Sequence, residues 1–130
     1  QVLKTLKKRV EEKGSALILI THSMGVAREV GDRIYVMYAG SMVESGTSEE
    51  LFREALHPYT QGLMSCIPKL SGGGISTGIP GRIPNYLNPP KGCRFEPRCP
   101  KALPICSESS PPAVEPVEGH HVACFLYENK

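Results

Sequence analysis

The first half of the chain carries its hydrophobic positions in two successive patterns. Leu3, Leu6 and Val10 recur on one face of a helix, with lysine and arginine between them, and Gly14 marks where that helix should end. Residues 16–21, ALILIT, then form a continuous apolar run of strand length, which is typical of a strand buried on both faces of a parallel sheet. A helix that leads into such a strand predicts an α/β fold, with part of a parallel sheet and flanking helices.

An antiparallel hairpin is predicted next, after a short helix that ends near Gly31. The segments Ile34–Tyr38 and Met42–Glu44 have strand character and flank Ala39 and Gly40, where the chain should reverse.

Two further helices are predicted before the middle of the chain. Thr47 and Glu50 have the spacing of a capping box, in which each side chain accepts a hydrogen bond from the other residue's amide. The second helix should begin at Pro58, because proline suits a first helical position. Cys66 falls on its apolar face, where we expect a small buried side chain. The predicted buried positions of the first helix are Leu51, Phe52, Ala55 and Leu56.

The second half of the chain loses this periodicity. Residues 69–90 are rich in glycine, proline and serine, which predicts an extended linker. Residues 91–130 hold few large aliphatic side chains and four of the five cysteines, so a metal or disulfides should be needed to order them. We therefore divide the chain into an α/β segment at 1–68, the linker, and a cysteine-rich extension.

Composition narrows the function classes. A net charge of +2 is too small to indicate a nucleic-acid partner. No apolar run approaches the roughly 20 residues of a membrane-spanning helix. The amino end has no signal-peptide core, and the cysteine count is odd, which together favour a reducing compartment and metal or thiol chemistry. Because the chain starts within a helix pattern and without methionine, we expect it to be a piece of a longer protein.

Four cysteines are the candidate metal ligands: Cys93, Cys99, Cys106 and Cys124. Gaps of five, six and 17 residues separate them. Four thiolates suit a structural zinc ion or a [4Fe–4S] cluster, although neither the close pairs of zinc sites nor the short ferredoxin spacing is present. From spacing alone a metal centre, two disulfides and unlinked thiols all stay open.

Charged neighbours of these cysteines have two interpretations each. His120 and His121 could replace a thiolate, although surface positions are the simpler expectation. Arg94, Arg98 and Lys101 either offset the negative charge of a thiolate-bound centre or form a solvated basic loop.

His22 is the other candidate, because it directly follows the apolar run. The residues alone leave open a hydrogen-bonded core histidine and a site residue that the strand delivers.

Two longer stretches carry a family resemblance. LILITHSMGVAREVGDRIYVMYAGSMVESGTSEELF resembles the last part of an ABC-transporter nucleotide-binding domain. HPYTQGLMSCIPKL, followed by IPG, P-x-GC-x-F-x-PRCP and HHVAC-x-L, resembles the carboxyl-terminal extension of the ATP-binding subunits of oligopeptide, dipeptide and nickel importers. Together these stretches cover nearly the whole chain.

The resemblance implies a partial ABC-type nucleotide-binding domain with a small, irregular cysteine-rich extension. It implies a peripheral protein on the cytoplasmic face of the cell membrane that couples ATP hydrolysis to peptide import. The implied partners are transmembrane permease subunits and a second ATP-binding subunit, and nucleic acid is not among them. The missing sheet neighbours would also leave strand edges exposed, through which this chain could self-associate.

The resemblance also implies roles for the candidate residues. His22 corresponds to the switch histidine of the H-loop, which reaches the γ-phosphate of ATP and helps to position the attacking water. Many members carry aspartate after this histidine; Ser23 stands there in this chain and changes the local contacts. The four cysteines correspond to ligands of a [4Fe–4S] cluster, with zinc as the alternative. The cluster would be a structural staple or, alternatively, a redox or oxygen sensor.

The phosphate-binding motif G-x-x-x-x-G-K-[ST] does not occur in the sequence. By the resemblance, the signature motif and the strand with the magnesium-binding and catalytic carboxylates would lie upstream of Gln1. ATP and magnesium are therefore expected as cofactors of the full-length protein only, and this chain alone should not hydrolyse ATP. The alternative function is a metal-stapled interaction or sensor module with no part in ATP hydrolysis.

Overall fold

The computed structural model describes residues 1–67, 78–85 and 87–129, which form an α/β fold with one four-stranded antiparallel sheet. Its strand order is β1-β2-β4-β3. Within these ranges no helix is both long and apolar enough to cross a bilayer. The helices are α1 (Val2–Lys13), α2 (Met24–Val30), α3 (Ser48–Arg53), α4 (Pro58–Ser65) and α5 (Ile105–Glu108), and the strands are β1 (Arg33–Tyr38), β2 (Ser41–Thr47), β3 (Ala113–Val117) and β4 (His120–Ala123).

Helix ends and turns that depend on particular residues in the same turn form where the sequence predicts them. Helix α1 ends at Gly14, which adopts the left-handed conformation. The capping box of α3 is complete, with Thr47 and Glu50 accepting from each other's amides. The hairpin β1–β2 turns at Ala39 and Gly40, which both have positive φ. These predictions are confirmed.

The apolar run at 16–21 is not a strand, so the predicted parallel sheet is wrong for this chain. The backbone there pairs with no other strand in the described residues, and the side chains of Ile18 and Ile20 are 92% and 95% exposed. A strand of this kind is stable only when neighbours satisfy its amides and cover both of its faces. The sheet that does form uses the hairpin and the cysteine-rich extension instead.

The extension shares this sheet with the first half of the chain. Strand β4 pairs with β2, so that Val122 lies opposite Glu44 and His121 opposite Ser45. Phe95, from the extension, is 1% exposed and packs in one cluster with Tyr38, Leu51 and other residues of the first half. Burial in a common core explains how an extension with few aliphatic residues is ordered.

The carboxyl end of α4 differs from the prediction. Cys66 caps the helix and is exposed, so the expectation of a buried side chain is wrong. The helix ends at Ser65, two residues before Ile67, where its apolar pattern was expected to end, and Cys66 lies at the C-cap and outside the helix. Pro68 and much of the predicted linker at 69–90 lie outside the described residues.

Candidate functional site

Four cysteines from separate local structures line one small cavity. Cys93 precedes and Cys99 follows the 3-10 turn Glu96–Arg98, Cys106 lies in α5, and Cys124 follows β4. The cavity has a volume of about 10 Å³, room for about one water molecule. The chain thus brings all four predicted ligands to one place, although they span 31 positions of the sequence from 93 to 124.

Gly92 allows two of these cysteines to approach each other. The Cys93 amide donates to the carbonyl of Cys106 at 2.7 Å. A Cβ atom on residue 92 would lie 2.1 Å from that carbonyl oxygen, inside any contact distance that real atoms adopt. The glycine before the first cysteine is therefore a steric requirement of the cavity.

Backbone amides favour the thiolate form of the cavity cysteines. The amide of Leu103 donates to the Cys106 sulfur at 3.4 Å. At the other three cysteines, nearby backbone amides lower the pKa of the thiol, against the larger effect of burial. Amide-to-sulfur bonds stabilise thiolates and surround the ligands of iron–sulfur and zinc centres. The amides that lower the pKa belong to Phe95 and Glu96 for Cys93, to Lys101 for Cys99, and to Leu126 for Cys124.

The cavity nevertheless disfavours four negative charges in the absence of a cation. Burial raises the pKa of Cys93 and of Cys99, and it raises the pKa of Cys124 to about 11. Repulsion from the neighbouring thiolates raises each of these pKa values further. Because metals bind thiolates, any metal that enters must displace the protons.

The three cations among the cysteines have different positions. Lys101 lines the cavity, and its charge lowers the pKa of Cys99. The Arg94 guanidinium donates to the carbonyl of Ala39 in the hairpin turn. Arg98 donates to the carbonyls of Ile79 and Pro80, in the middle of the predicted linker, at 2.9 Å each. Lys101 also donates from Nζ to the Gln61 side chain of α4 at 3.0 Å, so all three cations tie the extension to other segments and only Lys101 lines the cavity as well.

Neither histidine before Cys124 lines the cavity. His120 is buried, and its Nε2 lies 2.7 Å from Oε1 of Glu44, so a surface position is the wrong expectation for this residue. His121 is half-buried and lies 3.6 Å from Glu115. Buried and partly buried residues alternate along strand β4. The two histidines, which are neighbours in this strand, therefore lie on opposite faces of the sheet.

Two buried polar residues were missed by reasoning from sequence. Glu44 is 1% exposed and accepts hydrogen bonds from the amides of Leu56 and His57 as well as from His120. His57 is also 1% exposed and lines the cysteine cavity. Burial lowers its pKa to about 4, so the ring is neutral at pH 7. The sequence features that could have pointed to these two residues were a glutamate within a predicted strand and a histidine directly before the proline that begins a helix.

His22 lies apart from the cysteines, in the connection between the apolar run and α2. It is exposed, and the next residue, Ser23, is the N-cap of α2. The Ser23 hydroxyl accepts from the amide of Val26 at 3.3 Å, a role that aspartate also fills well. The serine therefore replaces aspartate without loss of the cap.

The donor set fits a thiolate-bound centre by its chemistry. The five cysteines are not joined by disulfides, so none of the cavity thiols is lost to a bridge. In the part of the chain that the structure describes, no three His, Cys, Asp or Glu side chains converge closely enough to hold one metal ion. A four-iron cluster makes a different demand, because each of its four thiolates binds a separate iron atom.

Comparisons with known proteins find similarity to proteins of peptide transport. Residues 43–106 match the family described as "Oligopeptide/dipeptide transporter, C-terminal region". The chain is 44% identical over 131 residues to the "Oligopeptide transport ATP-binding protein AppD" of Bacillus subtilis (strain 168), an alignment that covers 100% of this chain and 40% of that protein.

Two further relatives show similar coverage. One is the "Dipeptide transport ATP-binding protein DppD" of Caldanaerobacter subterraneus subsp. tengcongensis, 42% identical over 98% of this chain and 39% of its own length. The other is the "Oligopeptide transport ATP-binding protein OppD" of Escherichia coli (strain K12), 42% identical over 96% of this chain and 37% of its own length. The chain thus spans about two fifths of the length of the curated relatives it matches.

Proposed function

We propose, from the premise that this chain belongs to the oligopeptide/dipeptide transporter family, that it forms the carboxyl-terminal part of an ATP-binding subunit that couples ATP hydrolysis to peptide import. The observation that carries this proposal is the match of residues 43–106 to the family region, which includes most of strand β2, the helix at Pro58 and three of the cavity cysteines. The relatives named above are ATP-binding proteins of oligopeptide and dipeptide transport.

In the full-length subunit His22 contacts the γ-phosphate of ATP and orients the attacking water. Its exposure and its place before a capped helix support this role, because the imidazole is accessible and the backbone next to it is held. A neutral imidazole donates one hydrogen bond, which suits a phosphate oxygen. ATP and magnesium are bound by segments that this chain does not contain, so the chain alone is inactive.

The experiment is an ATPase measurement on the full-length subunit with His22→Ala. We expect turnover to fall roughly 100-fold, with ATP binding retained. His121→Ala is the matched control, since its half-buried ring lies on another element and should leave turnover unchanged. Normal turnover in His22→Ala would refute the assigned role.

The cysteine cavity holds a [4Fe–4S] cluster in this proposal. Cys93, Cys99, Cys106 and Cys124 are the ligands, and zinc on the same thiolates is the alternative. The shared cavity and the backbone amides that favour the thiolate form support a thiolate-bound centre, and the resemblance favours iron over zinc. A bound cluster would cross-link the extension and could accept or donate one electron.

The cluster acts mainly as a staple in this account. The cavity walls come from α4, α5 and the segment after β4, so a centre bound there joins elements from both halves of the chain. A redox or oxygen sensor, or an interaction module without ATP hydrolysis, is the second candidate. Transport that changes with the oxidation state of the cluster, while the extension stays folded, would favour the sensor.

The full protein works in this proposal at the cytoplasmic face of the cell membrane. Its partners are transmembrane permease subunits and a second ATP-binding subunit, because ATP in this class of transporter is bound between two such subunits. Specificity for the peptide would then be determined by other subunits.

A further inference from the structure

The cysteine cavity has one wall that sequence reasoning did not assign, and His57 forms part of it. The imidazole is 1% exposed, yet it lies 36 positions before the first cavity cysteine and belongs to the turn between α3 and α4. A buried imidazole beside four thiols needs a chemical explanation, because each of its nitrogens must find a hydrogen-bond partner.

The hydrogen bond at Nδ1 determines the tautomer of His57. The amide of Tyr59 donates to Nδ1 at 3.0 Å, as the N-cap bond of α4. Pro58, which stands between them, has no amide proton, so the Tyr59 amide is the first donor that this helix can offer. Because Nδ1 accepts a hydrogen bond, the neutral ring carries its proton on Nε2.

The backbone and the ring of His57 each make one further contact. The backbone amide of His57 donates to Oε2 of Glu44 at 2.9 Å, and Glu44 is itself held by His120. The centroid of the imidazole lies 5.8 Å from that of Phe95, at an interplanar angle of 53°. Phe95 is the N-cap of the 3-10 turn Glu96–Arg98 and lies two residues after Cys93. The orientation of His57 is therefore coupled to the peptide segment that carries the first ligand.

We infer that His57 is a positioning residue of the cysteine centre, whose Nε2–H is a fixed hydrogen-bond donor to the sulfur atoms bound in the cavity. This inference rests on the proposed function, because it requires a thiolate-bound cluster there. Hydrogen bonds to cluster sulfurs withdraw electron density and raise the reduction potential. The side-chain donor is separable from the backbone amides, which no substitution at residue 57 removes.

The test is the reduction potential of the cluster in the full-length subunit with His57→Ser. Serine keeps the N-cap acceptor of α4 but has no Nε2–H. We expect the cluster to be harder to reduce, with the ratio of reduced to oxidised protein at a fixed potential lowered roughly tenfold, or 59 mV for one electron. A purely structural role would lower stability or cluster content and leave the potential of the remaining clusters unchanged.

Thr60→Val is the matched control. Thr60 lies on the same helix, is fully buried, and its hydroxyl finds no hydrogen-bond partner in the described residues. Its loss should leave the potential unchanged. If His57→Ser holds iron at the wild-type level with an unchanged potential, the role of His57 is refuted while the cluster stands. If the wild-type subunit holds no iron, the cluster and the role of His57 fall together.

A second measurement needs no substitution and so does not depend on the folding of a variant. In wild-type subunit labelled with ¹⁵N in histidine only, pulsed electron paramagnetic resonance of the reduced cluster should show a weak ¹⁵N coupling. Absence of that coupling in a sample with a strong cluster signal would overturn the inference.

Discussion

Nε2 of His120 lies 2.7 Å from Oε1 of Glu44, and both side chains are almost completely buried. The pair joins β4 of the cysteine-rich extension to β2 of the hairpin. The same carboxylate accepts from the amides of Leu56 and His57, so one side chain satisfies three donors from two separate segments. Glu44 is thus the polar centre at which the extension is attached to the first half of the chain.

Loss of this carboxylate should therefore destabilise the whole chain. We expect Glu44→Ala to lower the free energy of unfolding by about 3–5 kcal/mol, because three buried donors lose their acceptor. Glu44→Gln keeps one acceptor oxygen and should lose less. Urea unfolding gives both values. Glu115→Gln is the control, since its exposed pair with His121 should contribute at most about 1 kcal/mol. Equal losses at both positions would contradict the account.

The pH dependence of stability should report the burial of His57. Its pKa falls from 6.5 in the unfolded chain to about 4 in the folded chain, because burial disfavours the charged ring. The unfolded state therefore binds more protons between these values, and stability present above pH 6.5 is lost as the pH falls toward 4. Urea unfolding at pH 7, 5.5 and 4.5 measures this loss. His57→Ser should show a weaker dependence in that window, and an equal slope in both proteins would count against a neutral buried ring.

Gly92→Ala should prevent assembly of the cysteine cavity. The added Cβ would lie 2.1 Å from the Cys106 carbonyl oxygen, which must then separate from the Cys93 amide. We expect a loss of about 1–3 kcal/mol in unfolding free energy and a reduced metal content. Gly25→Ala is the control, because the nearest atom to its added Cβ is 3.9 Å away and alanine favours the helix. Full metal content in Gly92→Ala would refute the steric requirement.

The raised pKa of the Cys124 thiol predicts that the metal-free protein loses stability at high pH, whereas the burial of His57 costs stability at low pH. The pKa of Cys124 is raised from 9.0 to about 11, mainly by burial. The folded state thus retains its proton where the unfolded state has lost it, and the associated stability disappears as the pH rises from 9 through 11. Unfolding of reduced, metal-free protein across that range measures the loss. The unfolding free energy of Cys124→Ser should fall less steeply over this pH range. An equally steep fall in both proteins would show that other groups cause it.

What could be predicted from sequence was governed by chemistry within a few residues. The cap at Thr47, the stop at Gly14 and the start at Pro58 each depend on donors and acceptors in the same turn. The apolar run at 16–21 gave a wrong prediction because a buried strand depends on neighbours from other segments. Pattern reasoning grouped the four cysteines, which line one cavity in the structure, but it could not find the acceptor of His120, which lies 76 positions earlier in the chain.

The histidine in the cavity shows the same limit. A histidine before proline at a helix start has a simple local explanation as an N-cap, and that explanation is correct. Its second role depends on the folded extension, which covers the ring with residues from 93 onward. Only the tertiary structure reveals that a local cap is also a wall of the cysteine site.

The most direct test is the metal and sulfide content of protein purified without oxygen. We predict about four iron atoms and four acid-labile sulfides per chain, with a broad visible absorption that is lost in Cys93→Ser. Cys66→Ser should keep the full content, because Cys66 is exposed and does not line the cavity. One zinc ion per chain without iron would contradict the cluster, and iron content unaffected by Cys93→Ser would contradict the cavity as its site.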